Sequence, residues 1–126
     1  MKRDMDLVRN ILLALEESNS DPLEWVNLKF DGRSDLEVSY HIRLLNEAGL
    51  IDAIDASSMD GTEWHAQCLT AFGHDYLDSV RDPEIWAQTK EGAKKVGGFS
   101  LEVLGAIAKG LLKKKIEEHT GVEIDL

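Results

Sequence analysis

Three groups of side chains in this sequence have types and spacings that could do chemistry. Arg33, Ser39, Tyr40 and Arg43 lie at and along one predicted helix. A DNA reader uses such a set: one arginine takes the guanine edge with paired hydrogen bonds, another holds a phosphate. Carboxylates crowd the same region, with Asp31, Asp35, Glu37 and Glu47 followed by Asp52, Asp55, Asp60 and Glu63, and residues 52–63 hold no Lys or Arg. That surface repels phosphates and attracts cations. His41, His65, Cys68 and His74 are the third group, the residue types that bind zinc. His65 and Cys68 are three apart, and on a strand an odd spacing sends side chains to opposite faces, against shared ligation. No Cys-x-x-Cys or His-Glu-x-x-His anchors a site, so neither metal nor cofactor is expected. His41 is expected to meet a carbonyl in the core.

Catalysis is not expected either. Gly97-Gly98, Gly105 and Gly110 do not follow a strand, as a phosphate-cradling loop would. The single Cys68, on a predicted strand, lacks the helix N-terminus or cationic neighbour that would make it a thiolate.

The elements that position these groups can be read in order. Leu7, Val8, Ile11, Leu12 and Leu15 recur at helical spacing from Asp4 to about Ser18, with Asp4 or Asp6 as cap. Val26, Leu28 and Phe30 alternate with polar residues, which predicts a short strand before the Asp31-Gly32 turn. Ser34 caps the next helix, and Glu37 three residues on completes a capping box. Leu36, Tyr40, Ile42, Leu44 and Leu45 are its expected buried positions, and Gly49 closes it. Leu50–Ile54 and Glu63–Leu69 read as a β-hairpin with its tip at 57–61. Thr70 then caps a helix whose Phe72, Leu77 and Val80 face the core. Pro83 starts another helix carrying Ile85 and Trp86 to about Val96, and Gly97-Gly98 is the expected hinge.

The last helix, Ser100 to about His119, spreads its apolar residues over roughly 220° of its circumference, wider than one packing face. Its centre, Leu104, Ile107 and Leu111, packs within the chain or serves self-association. Gly105 and Gly110 permit close approach of another backbone. Lys113-Lys-Lys115 complements the helix dipole, and Glu102, Glu117 and Glu118 argue against a membrane-surface role.

A chain of 126 residues fits one domain plus an appendage. One cysteine permits no internal disulfide, and no signal peptide or long apolar run is present, so a soluble cytoplasmic protein without a membrane contact is expected. Residues 1–82 hold 7 Lys/Arg against 17 Asp/Glu, a deficit equal to the whole chain's net charge of −10; residues 83–126 balance at 7 each.

Three segments carry a resemblance. Met1-Lys-Arg-Asp-Met-Asp-Leu7, Tyr40-His-Ile-Arg-Leu-Leu-Asn-Glu-Ala-Gly-Leu50, and Gly73-His-Asp-Tyr-Leu-Asp-Ser-Val-Arg-Asp82 with Trp86 resemble the domain of unknown function 2513 family. The resemblance implies a winged-helix-like fold in a bacterial or phage setting, and transfers no activity and no catalytic residue. Val26–Phe30, read as a strand, stands where a winged helix usually has its second helix, which would truncate the DNA-docking motif.

The expectation is therefore an α+β, mostly helical fold. Residues 1–82 form a winged helix-turn-helix domain with a three-stranded wing sheet, and residues 83–126 a helical C-terminal extension hinged at 97–98. The expected function is a non-enzymatic interaction module of a phage or mobile element. Its acidic face, Asp35, Glu37, Asp52, Asp55, Asp60 and Glu63, would bind a basic surface of another protein, as an inhibitor or nucleic-acid mimic. The alternative is a dimeric transcriptional regulator that contacts DNA through Arg33, Ser39, Tyr40 and Arg43 and self-associates through the last helix, although nucleic acid is the disfavoured partner.

Overall fold

A computed structural model describes residues 1–123. The chain divides into two compact units, Met1–Leu77 and a second that begins at Asp78.

In the first unit, α1 (Met5–Glu17) starts where Asp4 accepts the N–H groups of Asp6 and Leu7, and it buries Leu7, Val8, Ile11, Leu12 and Leu15. Ser34 caps α2 (Asp35–Glu47) by accepting the Glu37 N–H. The Glu37 carboxylate turns to Arg33, so the predicted box is made on one side only. The buried face of α2 runs through Val38, His41, Ile42 and Leu45, a step of three or four residues. Of the expected positions Ile42 and Leu45 are buried, whereas Leu36 is 51% exposed and Tyr40 and Leu44 are half-buried. Gly49 closes the helix at a φ of 79°, a region an L side chain resists.

The hairpin follows at once. β1 (Ile51–Asp55) and β2 (Trp64–Leu69) pair antiparallel, with Ile51 opposite Leu69 and Asp55 opposite Trp64. The register slips between Asp52 and Ala53, leaving Gln67 as an extra residue in β2, a bulge. α1 and α2 pack on each other and on the hairpin around Leu7, Ile11, Leu45, Leu50, Ile51 and Ala66.

The sheet has two strands among the described residues, not three. Val26 makes one bridge to Ala66, and 27–30 then leave β2. Beyond that bridge the Ser39 hydroxyl accepts the Trp64 N–H, and the Gln67 side-chain amide, projecting from β2, donates to the Leu23 carbonyl. The Ser39 contact gives the Trp64 N–H of that edge a partner without a ladder.

α3 (Ala71–Val80) begins at Thr70, whose hydroxyl donates to the Gly49 carbonyl and accepts the Gly73 N–H. Tyr76, Leu77 and Val80 are buried, whereas Phe72, expected inside, is 58% exposed. In the second unit Asp82 caps α4 (Pro83–Val96), which packs on α5 (Leu101–Thr120) through Ile85, Thr89, Ala93, Leu104 and Ala108. Gly97 ends α4 in the left-handed region, and the Gly98 N–H returns to the Ala93 carbonyl. The glycine pair is thus a hydrogen-bonded helix stop. No helix among the described residues is long and apolar enough to cross a membrane.

Candidate functional site

Arg33, in the turn before α2, is held from two sides. Its guanidinium donates to the Asp4 carboxylate at 2.7 Å and to Glu37 at 3.3 Å. His41, fully buried, completes the knot. Its Nε2 accepts the Asp4 N–H at 2.8 Å, and its Nδ1 lies 2.8 Å from the Glu37 carbonyl. An Nε2 that accepts and an Nδ1 that donates define one tautomer, protonated on Nδ1. Partial burial alone would raise the Asp4 carboxyl, but the hydrogen bonds from Arg33, Leu7 and Asp6, with the Arg33 charge, outweigh it and hold it below its usual value. The knot ties two segments of the family resemblance, Met1–Leu7 and Tyr40–Leu50, to each other.

Ser39 is buried and bonded to the Trp64 N–H at 3.2 Å. Tyr40 stands edge-on to the His41 ring, with centroids 5.9 Å apart. Arg43 is exposed and pairs with Glu47 at 3.0 Å, one turn further on. Of the four residues expected to contact DNA, two are engaged inside the fold and a third is paired with a carboxylate.

The carboxylates fare differently. Glu37 faces Arg33, and Asp35 pairs with Lys29 at 2.9 Å with both side chains well exposed. Asp52, Asp55, Asp60 and Glu63 are all exposed along the hairpin. The Ser57 hydroxyl and N–H, aided by the Arg43 charge, hold the Asp55 carboxyl below its usual value. Among the described residues no cation pairs with Asp52 or Asp60, while Glu63 lies 3.7 Å from His65.

The His/Cys group is scattered: His41 lies inside, His65 and Cys68 on β2, and His74 on the exposed side of α3. The spacing argument for His65 and Cys68 fails locally. Asp52 faces Cys68 and Ile54 faces His65, and these β1 positions are two apart, so the bulge returns both side chains to one face. Burial, then the Asp52 charge and hydrogen bond, push the Cys68 thiol up, away from a thiolate. No group of three or more His, Cys, Asp or Glu among the described residues is placed to hold a metal ion.

Sequence reasoning passed over Leu23 and Trp25. Trp25 stacks flat on His65, with centroids 4.2 Å apart and planes 5° from parallel, yet it remains 52% exposed; Leu23 is 81% exposed. The available signal was two large apolar residues beside Pro22, outside any periodic segment that could bury them. Beside them, residues 26–29, α2 and the start of β2 enclose a groove of about 170 Å³, lined by Lys29, Asp35, Glu63 and His65 among others.

In the second unit Leu104 is fully buried and Ile107 lies against Gly92 of α4. Leu111 borders a groove with Ile85, Lys114, Lys115 and Glu118, and Lys115 pairs with Asp82 at 3.2 Å. The expected self-association residues thus include one that is already covered and one that faces α4.

Comparison with known proteins gives two matches. A family model described as "Hypothetical protein (DUF2513)" matches residues 2–100. A protein of Haemophilus influenzae described as uncharacterized is 37% identical over 117 residues, 92% of this chain and 99% of the relative. No solved structure matches.

Proposed function

The chain belongs to the DUF2513 family, a membership that fixes no activity, and from the site geometry we propose that it is a non-enzymatic, winged-helix-like interaction module in a bacterial or phage setting. Its acidic hairpin face binds a basic surface of another protein, where its carboxylates stand in for phosphates. One observation carries this reading: Asp52, Asp55, Asp60 and Glu63 line the hairpin in the open, while Lys29, Arg33 and Arg43 around α2 each pair with a carboxylate. Such a face attracts cations at long range and withholds the phosphate contacts on which DNA affinity depends.

The test is charge reversal. Asp52, Asp55, Asp60 and Glu63 are changed together to Lys, and Glu84, Glu91 and Glu118 of the second unit are changed likewise as a control. Binding to a nonalysine peptide is followed by anisotropy from about 50 to 200 mM salt, where exposed charges become screened. The hairpin reversal should abolish binding and the control should retain most of it; equal losses reject the face as the site.

The alternative, a dimeric DNA-binding regulator, draws on the run of capped helix directly into hairpin, the order of recognition helix and wing. Saturable duplex binding that weakens with salt and falls on Arg43→Ala would favour it.

A further inference from the structure

We infer that Trp25, stacked on His65, is the docking plate for an arginine side chain of the basic partner; this rests on the function proposed above and locates its specificity. Residues 10–28 and 44–80 contain no Lys or Arg, yet they hold 11 carboxylates: Glu16, Glu17, Asp21 and Glu24 in the first, with Glu47, Asp52, Asp55, Asp60, Glu63, Asp75 and Asp78 in the second. Trp25 and His65 come from these two cation-free stretches.

His65 lies under the indole ring with planes nearly parallel, so Trp25 is oriented by stacking while half of it stays open. Glu63, 61% exposed, stands 3.7 Å from the His65 Nε2. Leu23, 81% exposed, and Ile54, directly opposite His65 on β1, add apolar surface. An open aromatic face beside a carboxylate matches guanidinium, which is planar, weakly hydrated, stacks on indole and donates to a carboxylate in its own plane. An ammonium meets the charge but not the plane. Exposed tryptophans with apolar neighbours are also the residues on which interface energy concentrates. The occupant is therefore an arginine-bearing protein segment and not a lysine tract.

The experiment compares nonaarginine and nonalysine peptides at about 50 mM salt against the full chain, Trp25→Ala, Trp25→Phe and Met59→Ala. Met59 is a fully exposed control on the hairpin tip. Affinity is measured by calorimetry, and the Trp25 indole resonance, assigned through Trp25→Phe, is followed by NMR. Nonaarginine should bind more tightly and shift that resonance. Trp25→Ala should weaken nonaarginine about 3- to 30-fold and leave nonalysine unchanged, the range of one cation–aromatic contact. Trp25→Phe should retain part of the difference, and Met59→Ala all of it. Equal, salt-sensitive affinities indifferent to Trp25→Ala would overturn the docking plate and leave the acidic-face reading standing. Failure of both peptides to bind would remove both.

Discussion

Arg33 and Arg43 have the same side chain and different roles, and the cause lies in their neighbours. Arg33 lies between Asp4 and Glu37 and closes the knot at the start of α2; Arg43 faces solvent and pairs with Glu47. Asp4 titrates below its ordinary value of 3.8 when folded. The stability it contributes is therefore complete above about pH 4 and lost as pH falls through the folded value. Asp4→Asn should flatten the acid limb of the urea midpoint between pH 5 and 3, and an unchanged limb would show that the Arg33 contact carries no linkage. Tyr76 offers a test of opposite sign. It is 6% exposed, its hydroxyl has no hydrogen-bond partner among the described residues, and burial, opposed by the Arg3 charge, pushes it up to about 12. A buried, unpaired hydroxyl costs about 1–3 kcal/mol. Tyr76→Phe is thus expected to hold or raise the urea midpoint; a loss of ~1 kcal/mol or more would reveal a partner for the hydroxyl.

At the scale of elements, the Leu-Thr-x-x-Gly segment leaving the hairpin has a complete physical account. The Thr70 N–H donates to the Leu50 carbonyl, its hydroxyl bridges Gly49 to the Gly73 N–H, and a Cβ at Gly73 would run into the Leu50 carbonyl oxygen. Gly73→Ala should therefore destabilise the first unit by the upper end of ~1–3 kcal/mol, since the clash is with backbone that cannot turn aside. Chemical denaturation followed by tryptophan fluorescence measures this, and a cost near zero would mean that α3 shifts freely. Helices with caps and a 3.6-residue period were legible from the sequence: Asp4 and Ser34 cap as read, and Asp82 and Ser100 do so for α4 and α5. The third strand was misread because alternation at Val26, Leu28 and Phe30 states a preference and not a partner. Ser39, 25 positions from Trp64, takes that residue's N–H at the β2 edge instead.

For the molecule as a whole, the dimeric alternative would rest on α5. Leu104 is covered and Ile107 packs against Gly92, so a second copy has to use the neighbouring flank, where Leu112 and Ile116 are half-buried. On that alternative, sedimentation velocity should show Leu112→Lys with Ile116→Lys at half the parent mass. Ile107→Ala should keep the mass and lose about 2 kcal/mol of stability, the low end for a truncated isoleucine. A parent chain already sedimenting at monomer mass removes the dimeric alternative. The sequence by itself determined the helices, their caps, the hairpin, the family and the charge imbalance, because periodicity, capping chemistry and residue counts are local properties. Only the tertiary structure decided which charges remain available. Asp4 and Arg33 are 29 positions apart, Asp4 and His41 are 37, and Ser39 and Trp64 are 25. Local pattern carries no record of pairings over such separations, so it shows neither that Arg33 and Ser39 are engaged nor that Trp25 lies open on His65.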